Sequence, residues 1–470
     1  MLPANINPRD FGFAFTGWDS TVTSHSERRF AIQARFLWQS LRQRIPPSSL
    51  GFLDQAMISA SNFLLMAYLA RQLGPTNFGT FSLTFLSLMV VGNIQASLVT
   101  QPHNVLGAAL DEDEYASYTH STTMGQLWLA GGISLVLGCA AASLIMMGNH
   151  HQGQLVLAFS ALSFGWQMQE YFKRTFYTRL AYHKAIVADL LPYVGQVIAI
   201  VMLDYLGKLS VTSAMLGMAT VFFGGALVGA VIGRSQIRPR GYLHTICGDI
   251  IANLRFGQWL LGAAIAYLIA GQLYPVLAAG FVSLAAMGGI RTAQNLVAPT
   301  NILNKTVSSI APAQATLAYR SGGVRDLRAY MIRIGVPGTL GLSAFLLLVS
   351  IFAGPIITLL VGDEYREYAW LVTFLSLSYL LEFLATLGSV ALRSLDEVRV
   401  IMIAECISAA IVLTAGTFAV WKFGLAGAAA GLLVHGIVVN LVLWWAVSNR
   451  FNQKSALLSG GPAQHVHQAL

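Results

Sequence analysis

The chain has 470 residues, 55% of them hydrophobic and only 10% charged, with a net charge of +8 and a mean hydropathy of +0.62. Soluble domains carry about 25% charged residues, so a soluble globular protein is excluded and an all-α, polytopic membrane protein is the reading. The positive charge then belongs to basic loops at one membrane face, not to a nucleic-acid surface.

Residues 1–50 hold Pro, Ser, Thr and Arg, with no long apolar run and no signal-peptide core. Within them Phe30, Ile32, Phe36, Leu37 and Leu41 alternate with Arg35, Arg42 and Arg44. This is either an interfacial helix lying on the membrane surface or a disordered basic tail. Neither reading gives it a catalytic role.

The organising stretch runs from Gly51 to Leu110. Two apolar segments flank Gly74-Pro75, and no Asp, Glu, Lys or Arg occurs between Arg71 and Asp111. About 20 apolar residues cross a bilayer as a helix, so two spans joined by a tight turn are expected. Both carry polar residues: Gln55, Ser59, Ser61 and Asn62 in the first, Asn93, Gln95 and Gln101 in the second. Lipid has no use for these groups, so they should face a bundle interior or a wet cavity.

Twelve spans are expected: roughly 51–73, 79–101, 122–147, 153–174, 185–204, 210–233, 256–274, 276–316, 331–361, 367–391, 400–420 and 424–448. The eighth is too long for one straight crossing and should bend or break near Pro299. With the N-terminus inside, 22 of the 28 Lys and Arg residues fall on the inner side. Four (Arg71, Lys208, Arg366, Lys422) fall outside, and Arg291 and Lys305 lie within a span. The positive-inside rule therefore puts both termini in the cytoplasm.

The chain repeats at a distance of about 215 residues. Glu170–Gly233 and Leu381–Val447 share the order span, charged hinge, span with one acid, short turn with one Lys, span. Asp189 matches Glu405, and Lys208 matches Lys422. Six helices per half is even, so the halves share one orientation and flank a central cleft. The expected organisation is a basic tail (1–50), a six-helix bundle (51–233), a cytoplasmic linker (234–255), a second six-helix bundle (256–448) and a tail (449–470).

Three segments carry a family resemblance: LDQAMISASNFLLMAYLARQLGPTNFGTFSL, then GDEYREYAWLVTFLSLSYLLEF, then FGLAGAAAGLLV. Over about residues 51–448 the chain resembles the O-antigen and exopolysaccharide flippases of the multidrug/oligosaccharidyl-lipid/polysaccharide exporter superfamily. The resemblance implies a bacterial inner-membrane transporter for a lipid-linked (polyprenyl diphosphate) oligosaccharide, working by alternating access. Lipopolysaccharide or exopolysaccharide assembly would be its setting, with a polysaccharide polymerase and chain-length proteins as possible partners beside membrane lipids. Functional residues in that family are not uniform, so none is transferred by position.

The residues themselves supply candidates. Arg291 lies deep in the eighth span, where an Arg costs at least about 2.5 kcal/mol to insert. It either binds a substrate phosphate or uronate bidentately or is tied to a carbonyl or acid of the other half. Gln294, Asn295 and Asn301 follow it and offer amides to sugar hydroxyls; Asn62 and Gln95 do the same from the first half. Lys305 is a phosphate contact or a snorkelling lysine. Arg71 is a gate charge or a helix C-terminal cation. Asp54, Asp189, Glu382 and Glu405 are acids in or beside spans, and coupling to H⁺ or Na⁺ needs such a carboxylate. Glu382 is the deepest and the first choice, with Asp189 and Glu405 behind it; pairing with Arg174, Arg179 or Arg399 is the structural alternative for those two.

Asp111–Glu114 and Gly362–Tyr365 read as loops, as do His103, His120, His150, His151 and His183. The cysteines Cys139, Cys247 and Cys406 lack metal-ligand spacing. Phosphate-binding Gly-Lys-Ser/Thr and G-x-S-x-G motifs are lacking, so neither an enzyme nor a cofactor is expected. A drug or small-cation antiporter of the same superfamily is the rival, but its cavity should present acids rather than Arg291 and Lys305. A lipid II flippase should have additional spans, and a membrane glycosyltransferase a large outer loop.

Overall fold

The computed structural model describes residues 47–238 and 243–459. The chain divides into a first unit ending at Gln55, whose residues 47–55 are helical, and a compact unit from Ala56 onward. Among its described residues the compact unit is built of helices without strands.

Twelve long helical segments cross it. The first six are α1 (56–73), α2 (75–107), α3 (Glu112–Met146), α4 (His150–Thr178), α5 (Tyr182–Tyr205) and α6 (Val211–Gly233). The second six are α7 (Leu243–Phe281), α8 (284–321), α9 (324–351), α10 (Ala369–Ser394), α11 (398–423) and α12 (425–459). This is the expected all-α, two-bundle membrane architecture.

Glycines set the helix count. Gly74, Gly323 and Gly424 have φ of +69°, +66° and +58°, a region that glycine enters without a Cβ clash. Each divides a run of helix that would otherwise be far longer than one bilayer crossing. The apolar stretches Leu50–Gly107 and Arg399–Gln453, of 58 and 55 residues, each contain such a break. Pro75 then opens α2, where its missing N–H costs nothing.

Both ends of the seventh helix differ from expectation. The seventh helix begins at Leu243 and ends at Phe281, carrying Pro275 inside it. The break before α8 falls at Ser283, whose side chain accepts from the Ala286 N–H at 3.0 Å. A good N-cap there outweighs the proline. The expected break in the eighth span is present: α8 stops at Val297 and resumes at Thr300.

The repeat is visible in the packing. Ser134 and Ser160 exchange hydrogen bonds between α3 and α4, at 3.4 and 2.9 Å. Ser350 and Ser376 meet at 3.0 Å between α9 and α10, each shifted by 216 positions from its counterpart. Likewise α6 packs on α4 through Gly229 and Phe172, and α12 packs on α10 through Gly388 and Leu443.

The halves meet backbone to backbone where α2 crosses α8. A Cβ on Gly79 would lie 1.7 Å from the Leu284 carbonyl oxygen, and one on Gly288 would lie 2.4 Å from that of Pro75. Only glycine permits this approach, the means by which small residues hold membrane helices together. Around the crossing, the fully buried Tyr365 donates to the Ala70 carbonyl at 3.0 Å, and Arg71 donates to that of Leu359 at 3.2 Å. The Gly362–Tyr365 segment is thus a packed 3-10 turn rather than a free loop. Asp111–Glu114 likewise opens α3: Asp111 caps the Glu114 N–H at 2.8 Å, and Asp113 pairs with Arg238.

Gly288→Val should lower stability by about 1–3 kcal/mol, the usual cost of overpacking. Gly131→Ala on α3, where an added Cβ meets nothing within 4 Å, should be neutral or slightly stabilising. Thermal unfolding of the two purified variants in detergent checks the contrast.

Candidate functional site

Among the described residues, α4 does not qualify as an apolar span, and the first part of α8, 14 residues long, is too short to be one. Membrane helices are not polar without cause. The polar chemistry of the protein concentrates on these two.

On α4 the charges are satisfied by one another, with Lys173 buried and Arg174 half-exposed. Lys173 pairs with Glu170, and its Nζ lies 3.7 Å from Asp189 of α5. Arg174 Nε reaches Glu170 at 2.8 Å. Gln169 donates to Asp189, and the Lys173 ammonium lies 5.7 Å from the Tyr193 ring centroid. Asp189 therefore takes a lysine partner that sequence reasoning did not name, and Arg174 serves Glu170 instead. Nearby, Gln196 donates to Ser61 at 3.0 Å and to Asn62 at 3.2 Å. Gln95 is buried and donates to the Gln167 carbonyl at 2.7 Å.

On α8 the arrangement is open. Arg291 donates through Nη1 to Gln294 at 3.0 Å. Its Nε and Nη2 are enclosed and have no hydrogen-bond partner among the described residues. Tyr379 of α10 lies within electrostatic reach of Arg291 and of Glu382, and its hydroxyl meets Asn301. Tyr267 of α7 lies within reach of both Glu382 and Glu405. Glu382 keeps open surface and lies within electrostatic reach of Glu405, whose Oε2 has no hydrogen-bond partner among the described residues.

The structure thus joins Arg291, Gln294, Asn301, Glu382 and Glu405 into one polar track in the second half. Tyr267 and Tyr379 link it and were not anticipated. Tyr379 was findable, since it precedes Glu382 by three residues on one helix face; Tyr267 stands alone in an apolar run. Asn295 is placed differently: its amide donates to the Phe63 carbonyl of α1 at 3.3 Å and ties the halves together. Arg71 is exposed beside the glycine crossing, and Lys305 is exposed near the second part of α8. Asn62, Gln95 and Asp189 belong to the first half and do not join the track.

His103 is a correction. It is fully buried on α2, with Nδ1 at 3.0 Å from the Thr122 hydroxyl and Nε2 at 3.1 Å from that of Tyr115. It stacks on Tyr118, whose hydroxyl donates to Asn253 of α7 at 2.6 Å. A π-turn at Ala96–Thr100 carries α2 on through Pro102 and so draws this histidine inside. His120 and His183 also lie on helices, and His150 and His151 form the first turn of α4.

Residues 68–370, more than half of the chain, match the family described as polysaccharide biosynthesis protein. The chain belongs to that family. No curated protein matches it. Among solved structures it is similar to a MATE-family multidrug resistance transporter of the MOP superfamily. The inward-facing form aligns with a TM-score of 0.67 at 16% identity, over 86% of this chain and 96% of that one. The outward-facing form gives 0.61 at 16%, over 89% and 98%. A MOP-superfamily transporter from Pyrococcus furiosus, described as having a binding pocket of reversed polarity, gives 0.57 at 14%, over 86% and 94%. This family member has the fold of those transporters, built on helices long and apolar enough to cross a membrane.

Removing one member of a buried charge cluster costs about 3–5 kcal/mol, because its partners stay charged and unpaired. Lys173→Met should therefore impair folding severely, and Arg291→Met, at a site without a counter-charge, should not. The amount of folded, monodisperse protein recovered from membranes distinguishes them.

Proposed function

We propose that this transporter moves a lipid-linked oligosaccharide with an anionic head group across the bacterial inner membrane. The observation that carries the reading is the enclosed guanidinium of Arg291, whose Nε and Nη2 lack hydrogen-bond partners among the described residues. A planar fork of this kind suits a phosphate or carboxylate. Gln294 and Asn301 offer amides for sugar hydroxyls on the same side, and Lys305 offers a second cation along α8. Membership of a polysaccharide biosynthesis family supports the same substrate class.

In the proposed cycle the termini are cytoplasmic and the two bundles rock about the cleft. Opening at the Gly74 end breaks the Tyr365–Ala70, Arg71–Leu359 and Asn295–Phe63 bonds. Opening at the opposite end breaks Tyr118–Asn253. Glu382 and Glu405 are the coupling carboxylates, each within reach of Tyr267 and Glu382 also within reach of Tyr379. Asp189, already held by Lys173, is the weaker candidate.

The test is deletion of the gene in its host, with complementation. Lipid-linked oligosaccharide should accumulate on the inner leaflet, and surface polysaccharide should be lost. Wild type should restore it, whereas Arg291→Ala should leave less than about a tenth of the flux, the loss of one charge-assisted contact. Unchanged polysaccharide together with heightened sensitivity to cationic drugs would replace this reading with the antiporter.

Glu382→Gln and Glu405→Gln should reduce translocation driven by an ion gradient in proteoliposomes while leaving binding of the anionic substrate intact. Loss of substrate binding in both variants would move these acids from coupling to recognition.

A further inference from the structure

The second half contains a crevice that the transport reading does not use. It lies between α9 and α12, which each pack along α10 but barely touch one another. Its volume is about 650 Å³, and its walls include Arg328, Gly335, Thr339 and Leu340 of α9, Leu387 of α10 and Trp444 of α12. Gly335 helps to make the space: a Cβ there would lie 3.1 Å from a Leu387 methyl. Ile332, Leu340 and Trp444 are exposed at 53%, 66% and 38%, so the crevice opens sideways on the face that lipid covers.

We infer that this crevice is a binding site for an anionic phospholipid, with one acyl chain in the groove and its phosphate on Arg328. Three observations carry it. The lining from Arg328 to Leu340 spans about 18 Å of helix, near the thickness of one bilayer leaflet. That length and volume suit a single acyl chain and are too small for a long polyisoprenoid. The charge lies at one end only: Arg328 is exposed at the mouth, with Arg325 one turn away on the same helix face. No carboxylate pairs with Arg328 among the described residues, and the neighbouring Asp326 packs against Gly322 instead. Basic pockets between transmembrane helices are suited to anionic lipid head groups.

The site is separate from the Arg291 track, so its failure leaves the transport reading untouched. The full chain, purified and delipidated in mild detergent, is titrated with dioleoyl phosphatidylglycerol, with phosphatidylcholine of the same chains, and with inorganic phosphate. Native mass spectrometry reads the retained lipid, and thermal unfolding reads the stabilisation. Phosphatidylglycerol should be retained and should stabilise, while phosphatidylcholine and phosphate should do neither. Arg328→Gln should weaken retention about tenfold, the worth of one charge-assisted hydrogen bond. Thr339→Phe, which fills the groove, should abolish it. Arg328→Lys should restore most of it, and Arg366→Gln, away from the crevice, should change nothing. Arg328 is exposed, so its variants test the site without threatening the fold. Equal retention of phosphatidylcholine, a matching effect of phosphate alone, or unaltered retention in Arg328→Gln or in folded Thr339→Phe would each overturn the inference.

Discussion

Everything in this protein depends on two helices crossing with no side chains between them. Helix α2 of the first half and α8 of the second touch through Gly79 and Gly288, carbonyl against α-carbon. In a bilayer the hydrophobic effect does not hold one helix to another, because lipid is as apolar as a leucine. Close van der Waals approach and a few hydrogen bonds must serve. The crossing supplies the first. Tyr365, Arg71 and Asn295 supply the second by donating to backbone carbonyls of the opposite half. Such bonds are individually weak in a membrane and can be exchanged, which suits an interface that opens in the proposed cycle.

The same crossing explains where polarity goes. Helix α8 begins beside it and runs directly into Arg291, and its break at Ala298-Pro299 leaves Asn301 beside Tyr379. Helix α4 carries comparable charge but spends it internally, with Glu170, Lys173, Arg174 and Asp189 neutralising one another. One polar helix thus stiffens its bundle, and the other leaves donor groups free for a ligand in the proposed cycle.

Much of the architecture was legible because bilayer physics is unforgiving. Apolar runs of fixed length, the Gly74-Pro75 turn and the break near Pro299 all follow from where a backbone can remain hydrogen-bonded. The α7–α8 boundary, expected at residues 274–276, falls at Ser283 instead. Proline is tolerated within a packed membrane helix, and the Ser283 cap decided the matter. His103 was misread because the second span was expected to end at residue 101, whereas the π-turn at Ala96–Thr100 carries the helix on to Gly107. Arg291 stood out as a lone cation among apolar residues. Its tyrosine neighbours did not, since tyrosine is ordinary in such helices until another helix places a charge beside it.

Corresponding positions of the two halves do different work. Asp189 and Glu405 are separated by the same 216 positions that relate Ser134 to Ser350 and Ser160 to Ser376. The serine pairs kept their role of fastening α3 to α4 and α9 to α10. The acids did not. Asp189 faces Lys173, and the position equivalent to Lys173 in the second half is Ser389, which brings no charge. Glu405 was therefore left without the cation that holds its twin, and its Oε2 has no partner among the described residues. A carboxylate stripped of its structural partner inside a membrane is costly to keep. Its place within reach of Tyr267 and Glu382 is the physical reason the proposed coupling is sought in the second half rather than the first.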